Sequence, residues 1–170
     1  MYCTMVSKHL LKTLKKAEAK YEVISHKTVY TAYDLASTLK RKLGTVAKTL
    51  LVKADRGFTL VVLPGDRRVD LKKVKKLLGA KQVGLTTEQM IKTRLKVKPG
   101  AISPLLIKGT EGIGVFVDKS LKGAKKVLMG AGTFTDSLEM SAKELVRLAE
   151  ATIADVAEKA KRPKRRVTSK

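Results

Sequence analysis

Apolar and polar residues alternate along the chain with two periods, one typical of helices and one typical of strands. Between residues 5 and 19, apolar side chains return with helical spacing and lysines occupy the opposite face, which predicts an amphipathic helix. Further helices are predicted where a capping residue precedes such a pattern. The helix after Thr31 extends to about Lys40, and the one after Asp70 ends at Gly79. The helix after Thr87 extends to about Arg94, and the one after Ser141 to about Lys159.

Strands are predicted where short runs of β-branched and large apolar residues stand between turn residues. These runs are Tyr21–Ile24, Thr45–Lys53, Phe58–Leu63, Lys81–Leu85, Leu105–Ile107, Ile113–Val117 and Val127–Met129. The tetrapeptide Ala-Asp-Arg-Gly at 54–57 is a hairpin signal between the second and third runs. Since a hairpin makes an antiparallel pair, the pattern predicts a mixed α/β fold instead of a doubly wound parallel sheet.

Lys48 is an unusual residue within the predicted strand Thr45–Lys53. Alternation places its side chain with Leu50 and Val52 on what we expect to be the more apolar face of the strand. An ammonium group on such a face is costly to desolvate unless an anionic group meets it. Two interpretations stay open at this point. The lysine reaches back to water at a strand end or bulge, or it lines a pocket that receives a phosphate or a developing negative charge.

The charge of the chain adds a candidate partner. The 170 residues include 44% apolar residues, which suffices for one domain with its own core. There are 37 Lys and Arg against 15 Asp and Glu, and seven of the basic residues lie in 159–170, where no acid occurs. We therefore expect one domain over residues 1–158, a basic disordered tail over 159–170, and nucleic acid as the partner. A generic solubility surface is the alternative.

Cysteine usage and hydropathy indicate the compartment. Cys3 is the only cysteine, so an internal disulfide is impossible, which favours the reducing cytoplasm. The chain has no apolar run long enough for a membrane span, and lysines interrupt its first residues where a signal peptide would be apolar. We expect a cytoplasmic protein without a membrane partner.

Residue types exclude several kinds of catalytic machinery. Two histidines and one cysteine without close spacing argue against a zinc site, and no glycine-rich phosphate loop is present. Aromatic residues make up 4% of the chain, which argues against stacking platforms for bases. His26 is interpreted as a surface histidine or one satisfied by hydrogen bonds. We expect no metal and no cofactor, so an enzyme of this sequence must use Lys48, backbone groups and its substrate.

Two glycine-containing segments could supply those backbone groups. In Gly100-Ala101-Ile102-Ser103-Pro104, glycine permits close approach of the backbone to a ligand, and prolines at 99 and 104 stiffen the loop. Its free N–H and C=O groups could orient a polar substrate or hold an oxyanion. Gly130-Ala131-Gly132 is predicted to be a tight turn with the same potential. Either segment could also be a plain connection.

Taken together, these segments resemble the YbaK family, also called the prolyl-tRNA-synthetase-associated editing domain, over about residues 20–150. Each segment is weak alone, and their order and spacing carry the resemblance. The supporting stretches are 26–36, 46–52, 62–71, the GxxxP loop 100–104, and 130–132.

The resemblance implies a mixed α/β fold built on a barrel-like, largely antiparallel sheet with short helices around it. It implies hydrolysis of the ester in mischarged aminoacyl-tRNA without a metal or a protein nucleophile. Lys48 matches the functional lysine of the family, and Ser137 stands where some members carry an aspartate, with Asp136 beside it. The implied substrate-binding residues are Tyr30, Thr31, Thr49, Gly100, Ala101, Ile102, Ser103, Pro104 and Gly130.

The resulting prediction is a trans-acting aminoacyl-tRNA deacylase that takes the acceptor end of the tRNA into a small pocket. The free 2′-hydroxyl of the terminal adenosine would assist hydrolysis, since no protein base is evident. An aminoacyl-tRNA synthetase is a further candidate partner. A non-catalytic RNA-binding module and a hydrolase of another small ester or amide are the alternatives. The amino acid stays open among alanine, cysteine, serine and threonine.

Overall fold

The structure is a computed structural model, and it describes residues 6–107 and 112–161. Five of the six helices in the described part of the chain begin after a predicted capping residue or with the predicted amphipathic pattern. Thr31, Asp70, Thr87 and Ser141 each accept a hydrogen bond from a backbone N–H in the first helical turn, which confirms all four N-caps. The helices are α1 Lys8–Lys16, α2 Ala32–Thr38, α3 Leu71–Leu78, α4 Glu88–Leu95, α5 Pro104–Ile107 and α6 Ala142–Leu148.

The strands form one large sheet and two small ones. They are β1 Glu22–Ser25, β2 Ala47–Ala54, β3 Gly57–Pro64, β4 Arg67–Val69, β5 Val83–Leu85, β6 Gly114–Asp118, β7 Val127–Gly130, β8 Asp136–Met140, β9 Thr152–Ala154 and β10 Ala157–Lys159. The large sheet has the order β5-β2-β3-β6-β9, and the small sheets have the orders β1-β8-β7 and β10-β4. The predicted hairpin is confirmed, because β2 and β3 pair antiparallel from Ala54↔Gly57 to Ala47↔Pro64.

Parallel and antiparallel pairs both occur, so the predicted mixed α/β class is confirmed. β3–β6 and β6–β9 are the parallel pairs, and the remaining pairs are antiparallel. A single bridge between Val46 and Leu128 joins the large sheet to the β1-β8-β7 sheet. Over the described residues the sheets do not close into a barrel, so the barrel-like arrangement is not seen in that form.

The β2–β3 hairpin lies between two apolar clusters. The side chains of β2 alternate as predicted, so that Lys48, Leu50 and Val52 share one face. The apolar residues of that face pack with α3 in one of the two clusters. The opposite face, with Ala47 and Leu51, packs into the largest core cluster. Both faces of the hairpin are thus packed, because a central hairpin is covered on both sides, and the Lys48 face also carries the buried Val46 and Val52.

Three segments differ from the predicted elements. Residues 104–107 form a helical turn instead of a strand, because Pro104 suits the first position of a helix. The helix after Ser141 ends at Leu148, and residues 152–154 and 157–159 are strands that pair with β6 and β4. Tertiary pairing thus overrides an alanine-rich sequence of high helix propensity.

Strand β8 was not predicted. All five of its residues are buried although three of them are polar, so it lacks the alternation that marks a half-buried strand. Residues 162–170 of the predicted tail lie outside the described part of the chain, and Lys159 lies in β10. Within 6–107 and 112–161, no helix has the length and apolar character needed to cross a bilayer.

Candidate functional site

A cavity of about 360 Å³ lies where β2 meets the β1-β8-β7 sheet and the segments before α2 and α5. This volume is within the range of sites for small molecules, roughly 300–1,000 Å³. The structure brings most of the predicted site residues together here. The lining includes His26, Tyr30, Thr31, Lys48, Thr49, Gly100, Ile102, Gly130 and Ser137.

Lys48 is half-buried and lies on β2 at the wall of this cavity. Burial lowers its pKa, the negative charge of Asp66 raises it, and the positive charge of Arg68 lowers it, with a net lowering. Its Nζ atom forms no hydrogen bond or ion pair with any described residue. Lys48 is thus a desolvated cation with an unused charge facing a cavity, which suits an anionic group of a ligand.

The glycine-proline loop contributes two of its residues to the cavity, Gly100 and Ile102. Gly100 has a φ of +84°, and a Cβ there would lie 2.9 Å from the carbonyl oxygen of Tyr30, so the close approach requires glycine. Ala101 and Ser103 are buried instead, and Pro104 begins α5. The Ser103 hydroxyl is buried without a hydrogen-bond partner among the described residues.

Tyr30 and Thr31 form the rim of the cavity next to α2. The Tyr30 side chain is 64% exposed, and its ring packs against Phe134 with centroids 5.0 Å apart. Thr31 caps α2, and its hydroxyl accepts from the N–H of Asp34 at 3.0 Å. The Tyr30 ring is therefore accessible at the cavity, whereas the Thr31 hydroxyl is already engaged in the helix cap.

Gly130 faces the cavity from β7. A Cβ built at this position has no neighbour within 4 Å, so a side chain there would occupy the cavity itself. Its cross-strand partner on β8 is Ser137. The glycine therefore leaves open the space in front of the serine.

His26 and Ser137 form a hydrogen-bonded pair that the sequence did not indicate. His26 Nδ1 lies 2.8 Å from the carbonyl oxygen of Lys27, which can only accept, so Nδ1 carries the proton. In the neutral ring, Nε2 then accepts from the Ser137 hydroxyl at 2.9 Å. His26 is thus satisfied by hydrogen bonds, as expected, but it also lines the cavity. The two residues are 111 positions apart, so no local motif could reveal the pair.

Asp136 lies on the other face of β8 and does not line the cavity. Its carboxylate accepts from the Ser25 hydroxyl at 2.7 Å and from the hydroxyls of Thr133 and Thr135 at 3.3 and 3.1 Å. It therefore organises the turn between β7 and β8, while Ser137 is the one of the two residues that lines the cavity. Among the residues of 6–107 and 112–161, no three His, Cys, Asp or Glu side chains cluster as metal ligands would.

Comparisons with known proteins point to translation. A family profile described as an aminoacyl-tRNA editing domain matches residues 26–148. A proline–tRNA ligase of Bacillus velezensis is 33% identical over 110 residues, which are 65% of this chain and 19% of the ligase. A prolyl-tRNA editing protein, ProX, of Acetoanaerobium sticklandii is 25% identical over 142 residues, covering 81% of this chain and 87% of that protein.

Solved structures share the fold. The crystal structure of a hypothetical protein superposes with a TM-score of 0.82 at 27% identity, covering 89% of this chain and all of that chain (100%). A second structure, described as a proposed trans-editing enzyme for prolyl tRNA synthetase, gives 0.76 at 22% identity and covers 92% and 99% of the two chains. The chain spans about a fifth of the length of the matched ligases, 18% for that of Macrococcus caseolyticus.

Proposed function

Because the chain belongs to the aminoacyl-tRNA editing domain family, we propose that it hydrolyses the ester of mischarged aminoacyl-tRNA. The profile match over residues 26–148 confirms the family predicted from the sequence. The observation that carries the proposal is the cavity of about 360 Å³, whose lining includes the glycine loop, the His26–Ser137 pair and a lysine that has no hydrogen-bond or ion-pair partner among the described residues. Such a space accommodates an amino acid and the sugar to which it is esterified.

Lys48 would hold the terminal phosphate or nearby polar groups of the RNA. Its charge is partly desolvated, so an anion placed against it would gain more than it would at an exposed lysine. Tyr30 would shape the entrance, and Thr49 and Gly130 would bound the amino-acid side chain. These contacts would fix the ester at one place relative to the glycine loop.

The loop would then orient the ester and an attacking water. Gly100 and Ile102 are its two residues at the cavity, so the backbone groups that contact the substrate come from them. The free 2′-hydroxyl of the terminal adenosine would accept or relay the proton of the water. Hydrolysis breaks the bond between the acyl carbon and the ribose oxygen and releases the free amino acid and intact tRNA.

The carrier would be the tRNA for proline. Several of the matched relatives are proline–tRNA ligases, and another is a prolyl-tRNA editing protein. A proline–tRNA ligase would accordingly be the synthetase whose errors are corrected. The amino acid removed follows from the cavity, which is bounded by Gly130 and is small enough to favour a short side chain.

A panel of mischarged tRNAs, incubated with the purified protein, tests the proposal directly. Release of amino acid from at least one mischarged tRNA for proline, above the spontaneous rate, is the expected result. Binding without release from any tRNA would instead indicate a non-catalytic RNA-binding module. Equal hydrolysis of a simple amino-acid ester without tRNA would indicate a general esterase.

The role of the 2′-hydroxyl is tested with the same tRNA ending in 2′-deoxyadenosine. We expect this substrate to bind normally and to be hydrolysed far more slowly, and we expect His26→Ala to keep most of its activity. If the deoxy substrate turns over fast and His26→Ala is inactive, the imidazole and not the substrate hydroxyl is the base.

A further inference from the structure

A basic cleft lies at the other end of helix α2 from the cavity. It has a volume of about 330 Å³ and is lined by Lys40, Arg41, Lys42, Thr45, Lys126, Leu128 and Glu139. Four of these residues are cationic and one is acidic, so the lining carries a net positive charge. None of them belongs to the lining of the cavity that contains Lys48.

A buried carboxylate at the floor of the cleft holds two of the cations in place. Glu139 is only 5% exposed, and its two oxygens pair with Arg41 Nη2 at 3.0 Å and with Lys126 Nζ at 3.4 Å. The guanidinium has five N–H donors and the ammonium three, so donors remain for a second acceptor. A carboxylate that fixes the cations in advance lowers the entropy cost of binding an anion to them.

Helix α2 and strand β8 set the distance between the cleft and the cavity. Thr31 and Leu35, at the first turns of α2, line the cavity, and Lys40 and Arg41 follow its last turn. At 1.5 Å per residue, Thr31 and Leu39, the two capping residues of α2, are separated by roughly 12 Å along the helix, and Lys40 follows directly. On β8, Ser137 of the cavity and Glu139 of the cleft share a face, roughly 7 Å apart.

We propose that this cleft binds backbone phosphates of the RNA strand whose 3′ end enters the cavity. The proposal rests on the deacylase function, because that function places the terminal nucleotide at Lys48. Phosphates of the nucleotides just before it then lie within one or two nucleotide lengths of the cavity, and the basic cleft lies within the same distance. Contacts with phosphates carry no sequence information, so the cleft contributes affinity and register and not a choice of amino acid.

Neutralising the exposed lysines of the cleft tests the proposal. The variant Lys40→Gln/Lys42→Gln/Lys126→Gln keeps the Arg41–Glu139 pair, so that the buried carboxylate is not left without a cation. The control Lys72→Gln/Lys75→Gln/Lys76→Gln removes the same charge from the exposed face of α3, which lines neither the cavity nor the cleft. Thermal unfolding of both variants verifies that they fold.

Binding of uncharged tRNA is measured over a range of salt concentrations. We expect the cleft variant to bind at least about ten-fold more weakly at low salt, with a slope of log K against log salt that is reduced by about 2. In turnover, its KM should rise while kcat at saturating tRNA stays within about two-fold of the wild type. The α3 variant should change the slope by less than about 0.5.

The outcome also separates the cleft from the catalytic proposal. If the wild type hydrolyses mischarged tRNA but the two variants bind tRNA alike, the cleft proposal is overturned and the deacylase stands. If the wild type hydrolyses none of the tRNAs but only the cleft variant loses binding, the cleft stands and the deacylase fails. A fall in kcat with unchanged binding would also overturn the cleft proposal.

Discussion

Asp118 and Lys48 represent two regions of the molecule that bury charge in opposite ways. Asp118, at the end of β6, is 1% exposed, and Oδ1 accepts from the N–H groups of Val156 and Ala157 at 2.9 Å each. Its Oδ2 accepts from the N–H of Ser120 at 3.0 Å and from the Ser120 hydroxyl. Lys48, at the cavity, is half-buried and is not hydrogen-bonded to any residue that the structure describes.

The pKa is lowered for both groups. A lowered pKa favours the charged form of an acid, whereas it favours the uncharged form of a base. Burial alone raises the pKa of Asp118, and the hydrogen bonds from Ser120, Val156 and Ala157 outweigh it, so the folded state favours the carboxylate. Burial lowers the pKa of Lys48, so the folded state disfavours the ammonium. The fold thus gains stability from the first charge and gives up stability for the second, which is the pattern that the proposed role of Lys48 predicts.

The largest expected effect is the loss of stability on removing the Asp118 carboxylate. Asp118→Ala leaves several buried donors without an acceptor, at about 1–3 kcal/mol for each unsatisfied group, so we expect a loss of about 3 kcal/mol or more. Denaturant unfolding measures it. Asp155→Asn is the control on the same C-terminal segment, because the ion pairs of Asp155 with Lys73 and Lys119 are exposed and solvent screens them, so we expect a much smaller loss.

The same carboxylate predicts a pH dependence of stability. Because the folded pKa of Asp118 is depressed, its contribution is fully present above the unfolded value of about 3.9 and is lost as pH falls through the folded pKa. The difference in unfolding free energy between wild type and Asp118→Asn should therefore be constant above about pH 5 and shrink in more acidic solution. A constant difference down to pH 2 would show that the carboxylate is not stabilised by the fold.

The next largest effect concerns Lys48, and it should appear in activity and not in stability. Lys48→Ala should fold normally and lose at least about two orders of magnitude in deacylation rate, which is about 2.7 kcal/mol. Lys48→Met, of similar length, should unfold at the same or a higher temperature, because a desolvated charge is removed. Near-normal deacylation by either variant would remove Lys48 from the site.

The pH dependence of deacylation by the wild type is a further test of the role of Lys48. If the ammonium is the working form, activity above the spontaneous background should fall as pH rises through a pKa below the ordinary lysine value.

A smaller effect is expected at Gly130, which controls the free volume of the cavity. Its backbone is outside the left-handed region, and a Cβ there meets no neighbour, so a larger residue can fold without strain. We expect Gly130→Ala to lower kcat/KM by about five-fold, because one added methyl group in the pocket is worth about 1 kcal/mol, and we expect the larger Gly130→Val to lower it further. Unchanged activity of Gly130→Val towards every mischarged tRNA would show that the amino acid binds elsewhere.

The smallest effect is expected from the C-terminal basic residues. Removal of residues 162–170 takes away five positive charges and leaves β10 intact. Binding of tRNA should weaken and its salt dependence become shallower, while the preference among amino acids stays the same. A changed preference among amino acids in deacylation assays would mean that residues 162–170 reach the cavity.

Local chemistry explains which parts of the fold were predictable from the sequence. The caps at Thr31, Asp70 and Ser141 depend on a side chain and a backbone N–H two or three residues away, and all were found. Thr152–Ala154 was assigned to a helix because its strand conformation depends on pairing with β6, about 35 residues earlier in the chain. Such distant pairing leaves no local signal and overrides propensity.

The residues of the candidate site also divide into those that the local sequence predicts and those whose position depends on distant contacts. Lys48 could be identified because strand alternation alone puts it among apolar residues, and its place in the cavity agrees with that prediction. Which loop residues face the cavity could not be identified, since Ala101 and Ser103 turn inward while Gly100 and Ile102 do not. The contact of His26 with Ser137 arises only when β1 pairs with β8.

Strands β9 and β10 determine when a newly made chain can become stable. Val156 and Ala157 complete a core cluster whose other buried members lie between Val52 and Val74. On the ribosome, the earlier residues are made roughly 80 positions before their partners, a delay of about 4–16 s at 5–20 residues per second. During that interval the α3 side of the hairpin lacks part of its apolar cover, so we expect slower elongation to lengthen the time in which the partial chain can associate wrongly.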